Sequence, residues 1–515
     1  MAETNSLFFR VLEPLFRLSV SKLLVISFLF AIFLGSIGLY VFEEGQLSYV
    51  DCIYLSASAI CVTGLSTVPI ALLTIQSQFL LLVLIQLGGI GIITFTVLVG
   101  VLIVKGLSRN ERILSIIGEA TDTHEEVEKT PNADLNITRM IFSIIKISLT
   151  MEAIGAVLIF FQIPNELANL SIRIYYSLFT AVSAFNNAGF SLSNDLSIFR
   201  ENAGMLYTIS ILVILGGMGF PVIIFIEKVL LTFFQAIVYQ IEVLAETKLM
   251  QASLRGEEVS SFYYWVIKTS FSIEERIKGY NEQLFGASNR VQTKLLFLGT
   301  IVLLLLGSVI IYILEHENPR TLYPLSFHSS IANAFFLSVC ARTAGFNTMH
   351  LADLNDSTSF LICILMFIGG GPQGTAGGIK ITTFFILIVY LLNVLNPARA
   401  ITILGETVSK NSVAISIRIY FLGTTFLALM IFILSILGEN RHSLHHILFE
   451  VTSAFATVGY SLGITPYLKN SEKLVYCVIM FVGRIGIFTT LIAFTGSSGI
   501  PKMGMKDDGL KIQVG

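Results

Sequence analysis

The stretch Glu450-Val-Thr-Ser-Ala-Phe-Ala-Thr457-Val458-Gly459-Tyr460 decides how this chain is read. It is an apolar segment too short to cross a bilayer, closed by a Thr-Val-Gly-Tyr turn. A short helix ending in such a turn is the arrangement by which backbone carbonyls are aimed at a pore axis and replace an ion's hydration shell. Four letters carry little weight alone, so repetition is the first thing to look for in a long apolar chain.

Three related segments precede it: Ser58-Ala-Ile-Cys-Val-Thr-Gly64-Leu65, Ser183-Ala-Phe-Asn-Asn-Ala-Gly189-Phe190 and Val339-Cys-Ala-Arg-Thr-Ala-Gly345-Phe346. Each places a large apolar or aromatic residue after a glycine, and Ser58, Ser183 and Ser453 stand six positions before theirs. A second glycine motif follows 24 residues on in three cases and 27 in the other: Leu87-Gly-Gly-Ile-Gly91, Leu215-Gly-Gly-Met-Gly219, Ile368-Gly-Gly-Gly371 and Val482-Gly-Arg-Ile-Gly486. One unit is used four times. Aligned on the first glycine, the candidate filter is Val62-Thr63-Gly64, Asn187-Ala188-Gly189, Thr343-Ala344-Gly345 and Thr457-Val458-Gly459, with the carbonyls of Gly64, Gly189, Gly345 and Gly459 as ion ligands.

With 54% hydrophobic and 13% charged residues, the chain is a polytopic membrane protein. Its net charge of -2 and dispersed basic residues give no footprint for nucleic acid. Cys52, Cys61, Cys340, Cys363 and Cys477 lie singly in apolar stretches, as small buried hydrophobes do. The N-terminal region has no cleavable signal pattern.

Apolar windows of spanning length fall at roughly 20–42, 75–104, 139–162, 204–227, 293–314, 357–395, 414–437 and 473–495. Shorter segments at 49–61, 174–185, 326–340 and 444–456 have the ~10–14 residues of a re-entrant helix. The expected fold is an all-α polytopic bundle of four helix–pore-loop–helix repeats around one pseudo-fourfold pore. The repeats occupy 18–104, 139–236, 293–395 and 414–496, with linkers at 105–138 and 396–413, an insertion at 237–292 and a tail at 497–515. Termini and inter-unit segments hold 21 Lys and Arg, the segments around the half-spans only 6. By the positive-inside rule the termini are cytoplasmic and the half-spans enter from outside. Each half-helix then points its negative dipole end at the pore centre, which favours a cation.

Residues 357–395 run apolar for 39 positions, about 58 Å as one helix and nearly twice the hydrocarbon core. Six glycines and a proline between Gly369 and Gly378 break it at membrane depth, where irregular backbone survives only beside protein or water. Gly369, Gly370, Gly371, Gln373, Gly374, Thr375, Ala376, Gly377, Gly378 and Lys380 are therefore candidate gate residues. The run also satisfies G-x-G-x-x-G, but without the strand and βαβ unit that dinucleotide binding requires. Arg484 stands where the other units carry Gly89, Gly217 and Gly370, and is read as a cation that helps close the gate. Glu152, Arg342 and Glu450 are read as braces for the half-helices, Arg342 also as a charge near the outer mouth. Lys146 is expected to snorkel or to pair with a carboxylate.

The unit order, the Val62-Thr-Gly-Leu65 and Thr343-Ala-Gly-Phe-Asn347 turns, Gly483-Arg-Ile-Gly486 and the run Gly369-Gly-Gly-Pro-Gln-Gly-Thr-Ala-Gly-Gly-Ile-Lys380 resemble the Trk/Ktr/HKT superfamily of potassium transporters, most closely the Ktr-type membrane subunit. The terminal Lys511-Ile-Gln-Val-Gly515 resembles the Ktr-type tail. The resemblance implies potassium (K+) uptake across the cytoplasmic membrane through the filter carbonyls, and a third-unit loop that obstructs the pore on the cytoplasmic side. It implies a homodimer resting on a soluble KtrA/TrkA-like ring that binds nucleotide, ATP/ADP or NAD(H), with no cofactor in this chain. The segment 237–292, with Trp265, is longer and more charged than the resemblance leads one to expect.

A sodium-permeable or K/Na-coupled member of the superfamily is the alternative. In the HKT branch a serine at the first filter glycine accompanies sodium preference, whereas all four positions here are glycine. A membrane-embedded enzyme is disfavoured: no HExxH occurs, and His328, His350, His442, His445 and His446 fall near the expected outer surface.

Overall fold

The structure is a computed structural model that describes residues 20–91, 133–164, 169–193, 195–219, 287–372, 374–395, 401–439 and 441–495, with isolated positions 222, 225–226, 240, 243–244, 247, 512 and 514. Most of the 105–138 linker, nearly all of the 237–292 insertion, most of the tail and Gln373 lie outside the described residues.

Unit one comprises α1 (Val20–Phe42), α2 (Tyr49–Ile60) and α3 (Ile75–Ile90), and unit two α4 (Ala133–Gln162), α5 (Leu170–Phe185) and α6 (Ala203–Gly217). Unit three comprises α7 (Ala287–Glu315), α8 (Phe327–Cys340), α9 (Asp356–Phe367) and α10 (Ile381–Leu395). Unit four comprises α11 (Lys410–Leu437), α12 (Leu444–Phe455), α13 (Asn470–Ile485) and α14 (Ile487–Thr495). The first helix of every unit contains a stretch of 20 to 28 residues long and apolar enough to cross a membrane. Their outward faces carry large exposed side chains such as Phe30, Phe33, Phe161, Leu305 and Phe432, as lipid contact requires.

Three of the four half-helices start where a side chain satisfies a first free N–H group; Asn169 before α5 makes no such bond. Ser48, Ser326 and Ser443 accept from the backbone N–H of Asp51, Ser329 and His446, at about 1 kcal/mol per cap. Thr74 and Asn202 do the same for α3 and α6. The second helix of each unit packs on the half-helix of the next: α3 on α5, α6 on α8, α9 on α12, and α13 back on α2. The units thus close a ring in chain order. At the last joint Lys473 and Asp51 form a largely buried ion pair of 2.7 Å, Nζ to Oδ1.

These close joints depend on bare backbone. A Cβ on Gly88, Gly216 or Gly483 would fall far inside contact distance of the carbonyl oxygen of Ile60, Phe185 or Phe455, the residue four before the turn glycine. In unit three the equivalent Gly369 faces Gly377 of the broken segment instead.

Two expectations need correction. The window 473–495 is not a straight span: α13 and α14 meet at 100° about Gly486, whose φ of 92° is costly for a residue with a Cβ. Gly91 and Gly219 carry φ of 87° and 88° where α3 and α6 end, so the backbone turns at the second motif in more than the third unit. The 396–413 linker contains a hairpin, β1 (Thr402–Ile403) antiparallel to β2 (Glu406–Thr407), turned on Leu404-Gly405 at positive φ. Ile403 and Val408 there pack with Leu295, Ile386, Val413 and Ile512.

Gly216→Ala should destabilise the protein by about 1–3 kcal/mol through overpacking against a backbone oxygen. Gly423→Ala, inside α11 and with nothing nearer its Cβ than 3.4 Å, should stabilise by up to about 1 kcal/mol, since alanine is the better helix former. Thermal unfolding of both variants in detergent checks this.

Candidate functional site

The four turns repeat one backbone solution. Val62, Asn187, Thr343 and Thr457, two before each glycine, have positive φ of 56°, 58°, 76° and 51°, and Gly64, Gly189, Gly345 and Gly459 have φ of 91°, 68°, 69° and 91°. Thr63, Ala188, Ala344 and Val458 between them do not. The sign of φ thus alternates along each turn, the kind of backbone by which successive peptide oxygens can be brought to one side. Holding a non-glycine residue at positive φ costs on the order of 1–3 kcal/mol and persists only where the surroundings enforce it.

Those surroundings are the neighbouring turns. A Cβ on Gly64 would lie 3.2 Å from the Cα of Gly189, one on Gly189 3.1 Å from Gly345, one on Gly345 3.3 Å from Gly459, and one on Gly459 3.1 Å from Gly64. Each would be closer still to a backbone oxygen of the next unit: Ala188, Ala344, Val458 and Thr63 in turn. The four glycines form a closed ring. Leu65, Phe190, Phe346 and Tyr460 after them are buried, and Tyr460 Oη donates to the carbonyls of Phe346 (3.1 Å) and Leu337 (3.3 Å), tying unit four to unit three.

The repeated serines divide. Ser58 Oγ accepts from Gly64 N–H at 3.1 Å and Ser183 Oγ donates to Phe190 O at 2.7 Å, whereas Ser453 Oγ is buried without a partner among the described residues. In units one, two and four the N–H of Thr63, Ala188 and Val458 reaches the carbonyl of that serine at 2.7–2.8 Å. Unit three has Val339 there, and both Ala344 and Gly345 donate to Cys340 O instead. The unit that departs in sequence departs in winding.

The broken segment lies against the ring and the second motifs. Gly371 N–H donates to Gly217 O (2.8 Å), Thr375 N–H to Gly216 O (3.3 Å), Gly369 N–H to Ile379 O (2.8 Å) and Ile381 N–H to Gly370 O (3.1 Å). Gly377 leaves no room for a Cβ beside the side chain of Thr457, and Gly374 and Gly378 sit against Gly219 and Ala456. Arg484 donates to the carbonyls of Thr375 and Gly88, so unit four joins this segment to unit one. Lys380 Nζ turns back to Ala376 O at 2.7 Å. Arg342 Nη2 donates to Gly369 O at 3.1 Å, a bond that holds the broken segment.

The braces have named partners. Glu450 accepts from Ser461 and, at 3.0 Å, from Thr465, fixing α12 to the segment after its turn. Glu152 is bonded to Gln86, Ser148 and Asn186, a network spanning units one and two. Lys146 is exposed on α4. The sequence named Thr63, Asn187, Thr375 and Thr457 for their backbone; the structure adds that Thr63 Oγ1, Asn187 Oδ1, Thr375 Oγ1 and Thr457 Oγ1 are buried without a partner among the described residues, around the place where the segment meets the ring. Such groups cost about 1–3 kcal/mol each unless something polar meets them. Their only signal in the sequence was a hydroxyl or amide beside each turn. Backbone and side-chain oxygens of this kind suit a hard monovalent cation and offer no acid, base or nucleophile for a covalent reaction.

Comparison with known proteins follows the geometry. Residues 16–243 and 260–499 match the family described as TrkH, cation transport protein. The Ktr system potassium uptake protein B of Bacillus subtilis is 29% identical over 482 residues, covering 93% of each chain. Its namesake in Vibrio alginolyticus is 29% identical over 472 residues, 91% of this chain and 90% of that one. The potassium/sodium uptake protein NtpJ of Enterococcus hirae is 28% identical over 485 residues, 93% of each. Among solved structures, the potassium transporter TrkH from Vibrio parahaemolyticus superposes with a TM-score of 0.61 at 17% identity, over 92% of this chain and 84% of that chain.

Ser58→Ala should cost about 1 kcal/mol, because the Gly64 N–H loses its acceptor. Ser453→Ala, which deletes a hydroxyl without a partner, should cost nothing or stabilise slightly. Paired unfolding curves in detergent separate the two.

Proposed function

This chain belongs to the TrkH cation transport protein family, and from that premise we propose that it is the ion-conducting subunit of a potassium-selective uptake system in the cytoplasmic membrane. The observation that carries the reading is the closed ring of four glycine turns, each with the same alternation in φ. Ring carbonyls would strip and replace the ion's water, and the half-helices end four or five residues before each glycine, adding their negative dipole ends. The relatives named as potassium uptake proteins support potassium as the transported ion. One relative is named for potassium and sodium, yet all four ring positions here are glycine, which favours potassium.

The segment from Gly369 to Gly378, with Lys380 and Arg484, is proposed as the gate. Its rigidity comes from backbone bonds within unit three and to Gly216 and Gly217 of unit two, and from Arg342 and Arg484, and not from helix propensity, since each glycine costs ~1 kcal/mol relative to alanine in a helix. Closed and open arrangements then differ by only a few kcal/mol, within reach of a partner's differential contacts. We assign that role to a soluble nucleotide-binding ring reached through 105–138, 228–292 or 396–413, on a homodimer with cytoplasmic termini and half-helices entering from outside.

Two outcomes test this in a cell lacking its own potassium uptake, with rubidium flux as the readout. Serine at Gly64, Gly189, Gly345 or Gly459 should raise relative sodium permeability or abolish uptake, while Cys52→Ser and Cys363→Ser do neither. Unchanged potassium preference in all four glycine variants would remove the filter assignment. Separately, Arg484→Gln should raise unregulated flux severalfold with selectivity intact; flux at the wild-type level from a folded dimer would place the gate elsewhere.

A further inference from the structure

Arg342 is a guanidinium only 6% exposed, and its one printed bond goes to an uncharged group. Nη2 donates to Gly369 O at 3.1 Å, while Nε is buried without an acceptor among the described residues. The helices around it supply no counter-charge. Carboxylates are absent from α6, α8 and α10, and Glu315, the one on α7, stands at the end of that helix and accepts from Asn318, Thr321 and the N–H of Asn355. On α9, Asp356 lies at the exposed start, and Glu450 of α12 is engaged with Ser461 and Thr465. Two more cations, Lys380 and Arg484, flank the same broken segment and likewise donate to backbone carbonyls. Buried charges are ordinarily paired, because an unpaired one forfeits its hydration without return.

A second observation is the space beside it. Arg342 lines a cavity of about 20 Å³ between units two and three, closed toward the broken segment by Gly217 and Gly370. Aliphatic side chains such as Ile214 and Leu304 make up much of the wall; besides Arg342, its one polar side chain is the buried Thr300. Such a volume admits a water or a monatomic ion and nothing as large as a carboxylate or phosphate. A water there would direct at least one O–H at aliphatic wall and would leave the charge unbalanced. An anion has no proton to place, accepts from the guanidinium and the hydroxyl together, and balances the charge. A cation is excluded by Arg342 itself.

We propose that this cavity binds a single small inorganic anion, chloride, which accepts from Arg342 Nε and the Thr300 hydroxyl and supplies the counter-charge that the described residues lack there. Because the same guanidinium holds Gly369 O, the anion also steadies the start of the broken segment. The site needs nothing from the transport reading, and its test is binding.

The test uses the full chain in detergent. Crystals grown with bromide in place of chloride, and measured at the bromine absorption edge, should give an anomalous peak in the cavity, in contact with Arg342 Nε and Thr300 Oγ1. In solution, exchanging gluconate for chloride at fixed ionic strength should raise the unfolding temperature by an amount that grows with chloride concentration, as binding to the folded state alone requires. Thr300→Val keeps Arg342 and its bond to Gly369, and should need about tenfold more chloride for the same shift, as the loss of one hydrogen bond to an ion does. Arg342→Gln should lose both the peak and the shift; should that variant not fold, Thr300→Val decides. Density in the cavity that bromide does not replace, which marks a water, overturns the proposal. So does a chloride dependence that is the same in Thr300→Val as in the wild type, which marks a general salt effect. Rubidium flux enters neither measurement, so this proposal and the transport reading stand or fall separately.

Discussion

Four segments of one chain can meet around a single axis only if their backbones come into van der Waals contact, and that contact is the constraint on which this structure depends. Side chains at Gly64, Gly189, Gly345 and Gly459 would each strike a backbone oxygen of the next unit. The same demand recurs one layer away, where Gly88, Gly216 and Gly483 admit the carbonyls at the half-helix ends. Glycine here serves close approach as well as unusual φ, and the two needs coincide at the ring. The short half-helices, their serine caps and the long first helices with lipid-facing phenylalanines are what is required to hold four such turns at membrane depth.

Symmetry is broken in one unit, and the breaks belong together. Unit three lacks the serine that anchors the other turns, winds its turn differently, carries Arg342 beside it and parts its second helix with the glycine-rich segment from Gly369 to Gly378. The interrupted segment then fills the place where a second motif would otherwise meet its own half-helix, as the contact of Gly369 with Gly377 records. Arg342 from its own unit and Arg484 from the next hold it by backbone carbonyls alone. Carbonyl contacts carry no counter-charge, so both arginines leave a positive field next to the ring.

Much of this was legible in the sequence because its cause is local. Glycine spacing gave the repeats, apolar length separated spans from half-spans, and the 39-residue window was too long to be straight. The 100° bend at Gly486 was not legible, since the residues on both sides are equally apolar and a lone glycine in a helix is usually tolerated. Nor was the network of Glu152, whose partners Gln86 and Asn186 lie 66 and 34 residues away. Partnerships of that range are set by which helices meet, and periodicity does not encode them. The division between Ser58 and Ser453, identical in motif and different in bonding, has the same origin.

The claim that most needs a direct measurement is that the ring coordinates the transported ion through its carbonyls. Crystals grown in rubidium and measured at the rubidium absorption edge would locate the ion without recourse to transport. The account predicts anomalous density on the axis between the turns at Gly64, Gly189, Gly345 and Gly459, displaced by potassium and not by sodium. Density that lies away from the four turns, or that sodium displaces as readily as potassium does, would contradict it.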